Sequence, residues 1–382
     1  MTVEQGSRDR DRFWAQLRRE PDVEAPDLVA VDATDRLLLD EAAPLLAAAA
    51  PGEVVVVDDS HGALTLGAAG LHGVRDLRVH QDLRVGELAL AANAERTGLT
   101  GVHRSLPLDG DLFAGARVVL AKAPKALDAL RELTELAAAH AAPDVTVLVG
   151  GRVKHMTHAM NDVLRLGFTD VSATLARQKS RLLVARDPRP GIAPSFPRCR
   201  PDEATGLTVC AHGGAFAGNR VDDGTRALLQ VLAGAAPEAA TALDLGCGTG
   251  VLAAALARDR PGLTVLASDQ SAAAAESATA TAAANGVGDR VRVTRDDAAA
   301  GIPDGGVDLV VCNPPFHLGT SVVTGAADRL FVAAARVLRP GGELWTVYNN
   351  RLPHRATLRR LVGPTRVASA GRQFTVTVST RS

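Results

Sequence analysis

The sequence predicts an α/β protein built from two tandem doubly wound, Rossmann-like sheets. Three observations carry that expectation. Short β-branched runs alternate with Ala/Leu-rich helical stretches along the whole chain, the pattern of parallel strands joined by helices. The chain has 382 residues, room for two ordinary domains. Five prolines (Pro188, Pro190, Pro194, Pro197 and Pro201) interrupt the alternation near the middle, and no helix or central strand tolerates that density. The expected division is therefore a first domain over 1–187, a Pro-rich linker over 188–201 and a second domain over 202–382.

Taken in order, residues 1–50 read as mixed helix broken at Pro21, Pro26 and Pro44. The valine run 54–57 is a buried strand. Short strands at 77–81, 117–122 and 145–149 alternate with helices at 83–97 and 126–140. A helix over 157–166 and two strands near 171–176 and 181–185 close the first half. The second half repeats the order: strands at 242–245, 263–269, 291–293, 307–312 and 343–348, then closing strands at 365–370 and 373–380. The helices between them lie after the glycines of 246–250, from Ser271 to about Asn285, over 326–338 and over 355–362. Ser271 is placed to cap its helix.

Bulk properties exclude several classes. Hydrophobic residues make up 46% and charged residues 22%, which are globular values. A formal net charge of −1 gives no global field for nucleic acid, so such a partner needs a local patch. Met1 to Arg12 is polar, unlike a signal peptide, and no apolar run approaches the ~20 residues that span a bilayer. A cytoplasmic protein is expected. The cysteines Cys199, Cys210, Cys247 and Cys312 form no C-x-x-C pair and match no zinc spacing. Four reduced thiols and no metal are the expectation.

Two stretches carry chemistry. The strand 309–312 runs straight into Asn313-Pro314-Pro315-Phe316-His317. Consecutive prolines fix their own φ and bias the preceding residues toward extended backbone. An amide oxygen, the Pro314 carbonyl and an aromatic ring are then placed to hold a planar amino group, two acceptors for its N–H bonds and a face for stacking. Upstream, Asp244-Leu245-Gly246-Cys247-Gly248-Thr249-Gly250 ends a strand in a G-x-G-x-G turn that opens a helix, where glycine lets backbone approach a ligand closely.

The halves look like a duplication. The segment 149–155 mirrors 347–354, and 121–125 mirrors 312–316, with Lys122 in place of Asn313 and Lys125 in place of Phe316. The first glycine loop keeps only Gly62 and Gly67. The first copy is therefore read as degenerate.

On these residues the second half resembles the bacterial ribosomal-RNA guanine-N2 methyltransferases. The resemblance is close over about 205–382, through Gly214-Ala215-Phe216, Val221-Asp222-Asp223-Gly224, the loop 243–250, Asn285-Gly286-Val287, 313–317, Gly341-Gly342-Glu343-Leu344 and Gly371-Arg372-Gln373-Phe374. The first half is similar in layout to the inactive copy such enzymes carry. Residues 217–220 (Ala-Gly-Asn-Arg) depart from the family, which tends to have Ser-Arg directly after the Phe. The resemblance implies S-adenosylmethionine as cofactor and one guanine of 16S or 23S rRNA as substrate, by a monomer.

It also implies the site. Gly246, Cys247, Gly248 and Gly250 would line the methionine end of the cofactor, with Asp244 near its amino group. Asp269, with Gln270 beside it, would take the ribose hydroxyls, and Asp297 or its competitor Asp296 the adenine amino group. Asn313, Pro314, Pro315 and Phe316 would form the catalytic hook, Asn313 also bordering the cofactor. The basic stretch Arg351, His354, Arg355, Arg359 and Arg360 is the expected RNA patch of the second half, and Lys122, Lys125, Arg152, Lys154 and His155 that of the first. An adenine-N6 or protein-glutamine methyltransferase, or a non-catalytic RNA-binding assembly factor, remain as alternatives.

Overall fold

A computed structural model describes residues 3–24, 28–315 and 321–382. The chain divides into two compact units, Met1–Phe196 and Pro197–Ser382.

The first unit opens with helices α1 (Val3–Trp14) and α2 (Ala33–Ala48). The valine run forms β1 (Val54–Val57), buried at every position, and leads to α3 (Ala63–His72). Then follow β2 (Leu77–His80), α4 (Arg84–Thr97), β3 (His103–Ser105), the short α5 (Gly110–Phe113), β4 (Val118–Lys122), α6 (Leu127–His140), β5 (Thr146–Arg152), α7 (His158–Gly167), β6 (Phe168–Ala173) and β7 (Ser180–Pro188). The sheet order is β3-β2-β1-β4-β5-β7-β6, parallel from β3 to β5 and antiparallel at β7 and β6. Alternate side chains of β1 point to opposite faces, as pleating requires. Val54 and Val56 pack with Leu64, Leu66 and Leu90, while Val55 and Val57 pack with Leu112, Leu130 and Phe168. Both faces are covered, which is why the strand is apolar without alternation.

The second unit begins with a hairpin, β8 (Arg198–Asp202) and β9 (Leu207–Ala211). The last four residues of the expected linker, 198–201, are thus strand. Its Pro201 sits on a two-stranded ribbon, where a missing N–H is tolerated. Cys199 and Cys210 face each other across this ribbon and form a disulfide, with a Cα–Cα distance of 4.0 Å. The expectation of four reduced thiols is corrected: only Cys247 and Cys312 are free, and both are buried.

Helix α8 (Asp223–Leu232) precedes β10 (Thr241–Leu245), α9 (Val251–Asp259), β11 (Thr264–Asp269) and α10 (Ala272–Ala284). Then come β12 (Val291–Arg295), β13 (Val307–Cys312), α11 (Ser321–Val337), β14 (Leu338–Asn349), α12 (His354–Leu361), β15 (Thr365–Ala370) and β16 (Phe374–Thr380). Ser271 caps α10 as expected, accepting from the Ala274 amide at 3.1 Å. The hydroxyls of Ser277 and Thr281 and the Asn285 amide on that helix accept from the amides of His212, Cys210 and Thr208. They satisfy the edge of β9 that its hairpin partner leaves open.

The second sheet has the order β12-β11-β10-β13-β14-β16-β15, the first sheet's order repeated strand for strand. The chain steps outward from β10 to β11 and β12, then returns to the other side of β10 with β13. That reversal is the switch point of a doubly wound sheet, where a crevice opens beyond the strand C-termini. Leu245 pairs with both Ser268 and Cys312, and Cys312 with Thr346. The residues following these four strands therefore lie side by side on one rim.

Candidate functional site

The glycine turn after β10 lies at the switch point. Gly246, Gly248 and Gly250 have φ of +72, +52 and +73°, the left-handed region that side chains disfavour. A Cβ on Gly250 would stand 2.8 Å from the Ala278 backbone, whereas one on Gly248 would meet no protein atom within 4 Å. Gly250 thus serves packing between α9 and α10, and Gly248 fronts open space. Asp269, at the end of β11, braces the turn: its carboxylate accepts from the amides of Gly248 and Ser271, each at 3.0 Å.

Asn313 follows β13 beside that turn. Its Nδ2 donates to both Asp222 oxygens, at 3.1 and 3.3 Å, and to Thr225 Oγ1 at 3.0 Å. Asp222 is also the N-cap of α8, accepting from the Gly224 and Thr225 amides. The Thr225 hydroxyl gives its proton to Asp222 at 2.6 Å, so toward Asn313 it can only accept. An ionised carboxylate has no proton to give. The amide nitrogen of Asn313 must therefore face inward, and Oδ1 is left buried without a partner. An unmatched buried acceptor costs about 1–3 kcal/mol, a cost recovered when a donor arrives.

A cavity joins these parts: Asp222, Thr225, Asp244, the turn from Gly246 to Thr249, and Asn313 line it, with Phe216 and Arg220 at its border. Asp244 is 1% exposed. Its Oδ2 accepts from the Ala253 amide at 3.0 Å, and its Oδ1 has no partner. Burial, with Asp269 adding like charge, pushes its pKa up to about 7. A cationic ligand group beside Oδ1 would reverse that shift. The Gln270 Oε1 is likewise buried and unmatched. An open glycine turn, three orphaned acceptors and a carboxylate braced at the end of the next strand fit a cofactor with an ammonium group and hydroxyls.

Other expected residues stand as follows. Asp297 is paired with Arg329 of α11. Asp296 accepts from the Gly301 amide at 2.6 Å, while its own N–H donates to the Asp269 carbonyl. Pro314 is buried and Pro315 exposed. Phe316 and His317 lie outside the described residues. Burial raises the pKa of both Cys247 and Cys312 thiols, which makes them packing groups and not nucleophiles. His354 is buried, its ring edge-on to Phe331 and Tyr348, with burial lowering its pKa. It anchors α12 and does not belong to an RNA patch.

In the first unit the equivalent place is filled. Lys122 ends β4 where Asn313 follows β13, and its Nζ lies 2.5 Å from Asp35 and 3.1 Å from Asp32. Asp32 caps α2 as Asp222 caps α8. Burial works against the lysine's charge, but Asp35 and Asp32 outweigh it and hold its pKa up. Lys122 is thus consumed inside the unit and unavailable to RNA, a correction to the sequence reading. Asp58 (φ +59°) occupies the position of Gly246, one residue past the strand, and Gly62 that of Gly250.

Comparison with known proteins agrees with both halves. Residues 9–189 match the family model described as RLMG N-terminal domain, and residues 206–378 that described as Methyltransferase small domain. Ribosomal RNA large subunit methyltransferase G of Streptomyces coelicolor is 36% identical over 379 residues, covering 95% of this chain and 97% of that one. Its namesake from Pseudomonas paraeruginosa is 36% identical over 366 residues, covering 94% and 96%. The chain belongs to the ribosomal RNA large subunit methyltransferase G family. Among solved structures, a T. thermophilus 16S rRNA N2 G1207 methyltransferase in complex with AdoMet and guanosine superposes with a TM-score of 0.69 at 20% identity. It covers 90% of this chain and 92% of its own, which shows that the two share a fold.

Asp222 and Thr225 are the site residues that sequence reasoning missed as functional. The signal was partial: an Asp-Asp-Gly-Thr run ahead of a helix reads as a cap, and nothing local reveals that the cap also grips Asn313 from 91 residues away.

Proposed function

We propose that this methyltransferase transfers the methyl group of S-adenosylmethionine to the exocyclic N2 of a guanine in large-subunit ribosomal RNA, acting as a cytoplasmic monomer. The observation that carries the reading is the Asn313 Oδ1, buried and unmatched on a residue that lines one cavity with the glycine turn. The large subunit is chosen on the names of the relatives.

Gly246, Cys247 and Gly248 let the methionine portion lie against backbone, Gly250 closes the turn onto α10, and Asp244 accepts from the amino group of the methionine portion. Asp269 and Gln270 take the ribose hydroxyls, and Asp297 releases Arg329 to accept from the adenine amino group. When bound, the cofactor supplies an electrophilic methyl on sulfur. Guanine N2 is a weak nucleophile because its lone pair is shared with the ring. Asn313 Oδ1 and the Pro314 carbonyl accept its two N–H bonds and draw the nitrogen toward tetrahedral geometry, aligned with the methyl. Pro315 stiffens the turn, and we assign base stacking to Phe316. As the N–C bond forms and the C–S bond breaks, N2 becomes acidic and its proton leaves to solvent. The target base must leave its helix to enter, which adds an unstacking cost. The 1–187 domain is assigned to holding RNA, through the exposed Lys125, Arg152, Lys154 and His155.

The test is transfer from labelled S-adenosylmethionine to deproteinised rRNA and to assembled large subunits, followed by nucleoside analysis. N2-methylguanosine in large-subunit rRNA is expected, with loss of transfer but retained cofactor binding in Asn313→Ala. Label recovered in N6-methyladenosine, or full transfer by Asn313→Ala, would sink the assignment.

A further inference from the structure

From Leu344 to Ser382 the chain carries seven arginines and neither aspartate nor glutamate, in a protein whose formal net charge is −1. Positive charge is thus concentrated in the last strands and helix. Several arginines of this unit are neutralised in pairs, Arg226 by Asp202, Arg258 by Asp259, Arg336 by Asp304, Arg339 by Asp308 and Arg366 by Glu343. The guanidinium groups of Arg351 and Arg372 meet no carboxylate among the described residues.

These two arginines flank a groove of ≈ 530 Å³ whose other walls are Asn349, Asn350 and Gln373. The walls come from two chain segments, the turn after β14 and the turn between β15 and β16. Asn350 clips them together. Its Nδ2 donates to the carbonyls of Gly371 and Arg372 at 3.0 and 3.2 Å, its N–H donates to the Gln373 carbonyl, and its Oδ1 accepts from the Thr375 hydroxyl at 2.7 Å. Asn349 Oδ1 accepts from the Arg351 amide at 3.1 Å. The backbone that carries both arginines is therefore fixed before any ligand arrives, while their guanidinium donors remain unspent.

The groove lies on the rim of the candidate site. Thr346 pairs with Cys312, the residue before Asn313. Asn349 lies three residues further along the adjacent strand, so at ~3.3 Å per residue and ~4.8 Å between strands it is on the order of 10 Å from Asn313. That reach suits the nucleotide next to a target base, not the target itself.

We propose that this groove binds the phosphodiester backbone flanking the target guanine, with Arg351 and Arg372 on phosphate oxygens and Asn349 and Gln373 facing the neighbouring base edge. The proposal rests on ribosomal RNA being the substrate. A planar fork of donors matches phosphate geometry, and amide side chains read base edges exposed in single-stranded RNA.

The test uses the full chain and its R351A/R372A and R351K/R372K variants. Affinity for deproteinised large-subunit rRNA is measured across a salt series, and transfer kinetics and S-adenosylmethionine binding are measured in parallel. Each lost single-strand phosphate contact removes ~0.7 from the slope of log K against log salt, so the alanine pair should flatten it by about 1.4. It should raise KM for RNA about tenfold at unchanged kcat and unchanged cofactor affinity, and the lysine pair should restore the slope. An unaltered slope and KM in the alanine pair would overturn the proposal, as would a fall in kcat alone. The salt series needs no methyl transfer. A wild-type chain that binds with the full slope but never methylates rRNA therefore condemns the proposed reaction and leaves the groove to be judged on its slope.

Discussion

Asp222 grips Asn313 by the amide nitrogen, at 3.1 Å, and so decides which way the amide points. Replacing it by asparagine isolates this role, because asparagine caps a helix as well as aspartate does. In Asp222→Asn the new side chain can offer its own NH2, and the Asn313 amide loses its fixed sense. A loss of ~1–3 kcal/mol in transition-state stabilisation is expected, about ten- to hundredfold in kcat. Thermal stability and cofactor affinity should stay near wild type. Unchanged kcat would remove Asp222 from the mechanism.

As the proposed acceptor of the cofactor's amino group, Asp244 should make binding dependent on pH. Its pKa in the empty site is raised to about 7, so below that pH the carboxyl is neutral and must give up its proton to meet an ammonium group. Affinity for S-adenosylmethionine should weaken by about tenfold per unit as pH falls below 7, with proton release seen by calorimetry in buffers of different ionisation heat. The raised pKa also has a stability sign. The folded state binds this proton more tightly than the unfolded one, so Asp244 favours folding below its unfolded pKa of ~3.9. That contribution is lost as pH rises through 7. Asp244→Asn should abolish the pH dependence of binding between 5 and 7.

Lys122 balances two acids in the first unit, Asp35 and Asp32. Lys122→Ala would leave like charges together, one of them 5% exposed. Removing one partner of a fully buried pair costs ~3–5 kcal/mol. The lysine side chain is 22% exposed, so a loss of about 2 kcal/mol is expected by chemical denaturation. Because Asp58 stands where the second unit has Gly246, and Lys122 where it has Asn313, calorimetry should find one S-adenosylmethionine per chain, and Lys122→Asn alone should not add a second.

The hairpin disulfide sets a thiol count. Titration of the denatured, unreduced chain should give two thiols, from Cys247 and Cys312, and four after reduction. Closing a loop of 11 residues stabilises by about 2–3 kcal/mol in the chain-entropy model, a loss to be sought in the Cys199→Ser/Cys210→Ser variant. Four thiols without reductant would show the pair open in solution.

Much of this architecture is legible in the sequence because its signals are local. The glycine turn and the Asn-Pro-Pro hook each declare themselves within a few residues, and the alternation of valine runs with alanine helices gives the layering. What escaped depends on partners distant in sequence. Pro201 marks a linker unless its ribbon neighbour is known. Lys122 reads as a rim cation until α2 brings two aspartates to it. His354 looks like part of a basic helix, and only its period with Leu358 places it in the core.

The strand order common to the two sheets has a consequence for how such chains are read. Architecture alone would count two catalysts. What separates the two rims is a few side chains, Asp58 against Gly246 and Lys122 against Asn313, along one edge of otherwise interchangeable frameworks. A framework of this kind therefore fixes where an edge lies, and leaves what the edge does to the residues placed on it.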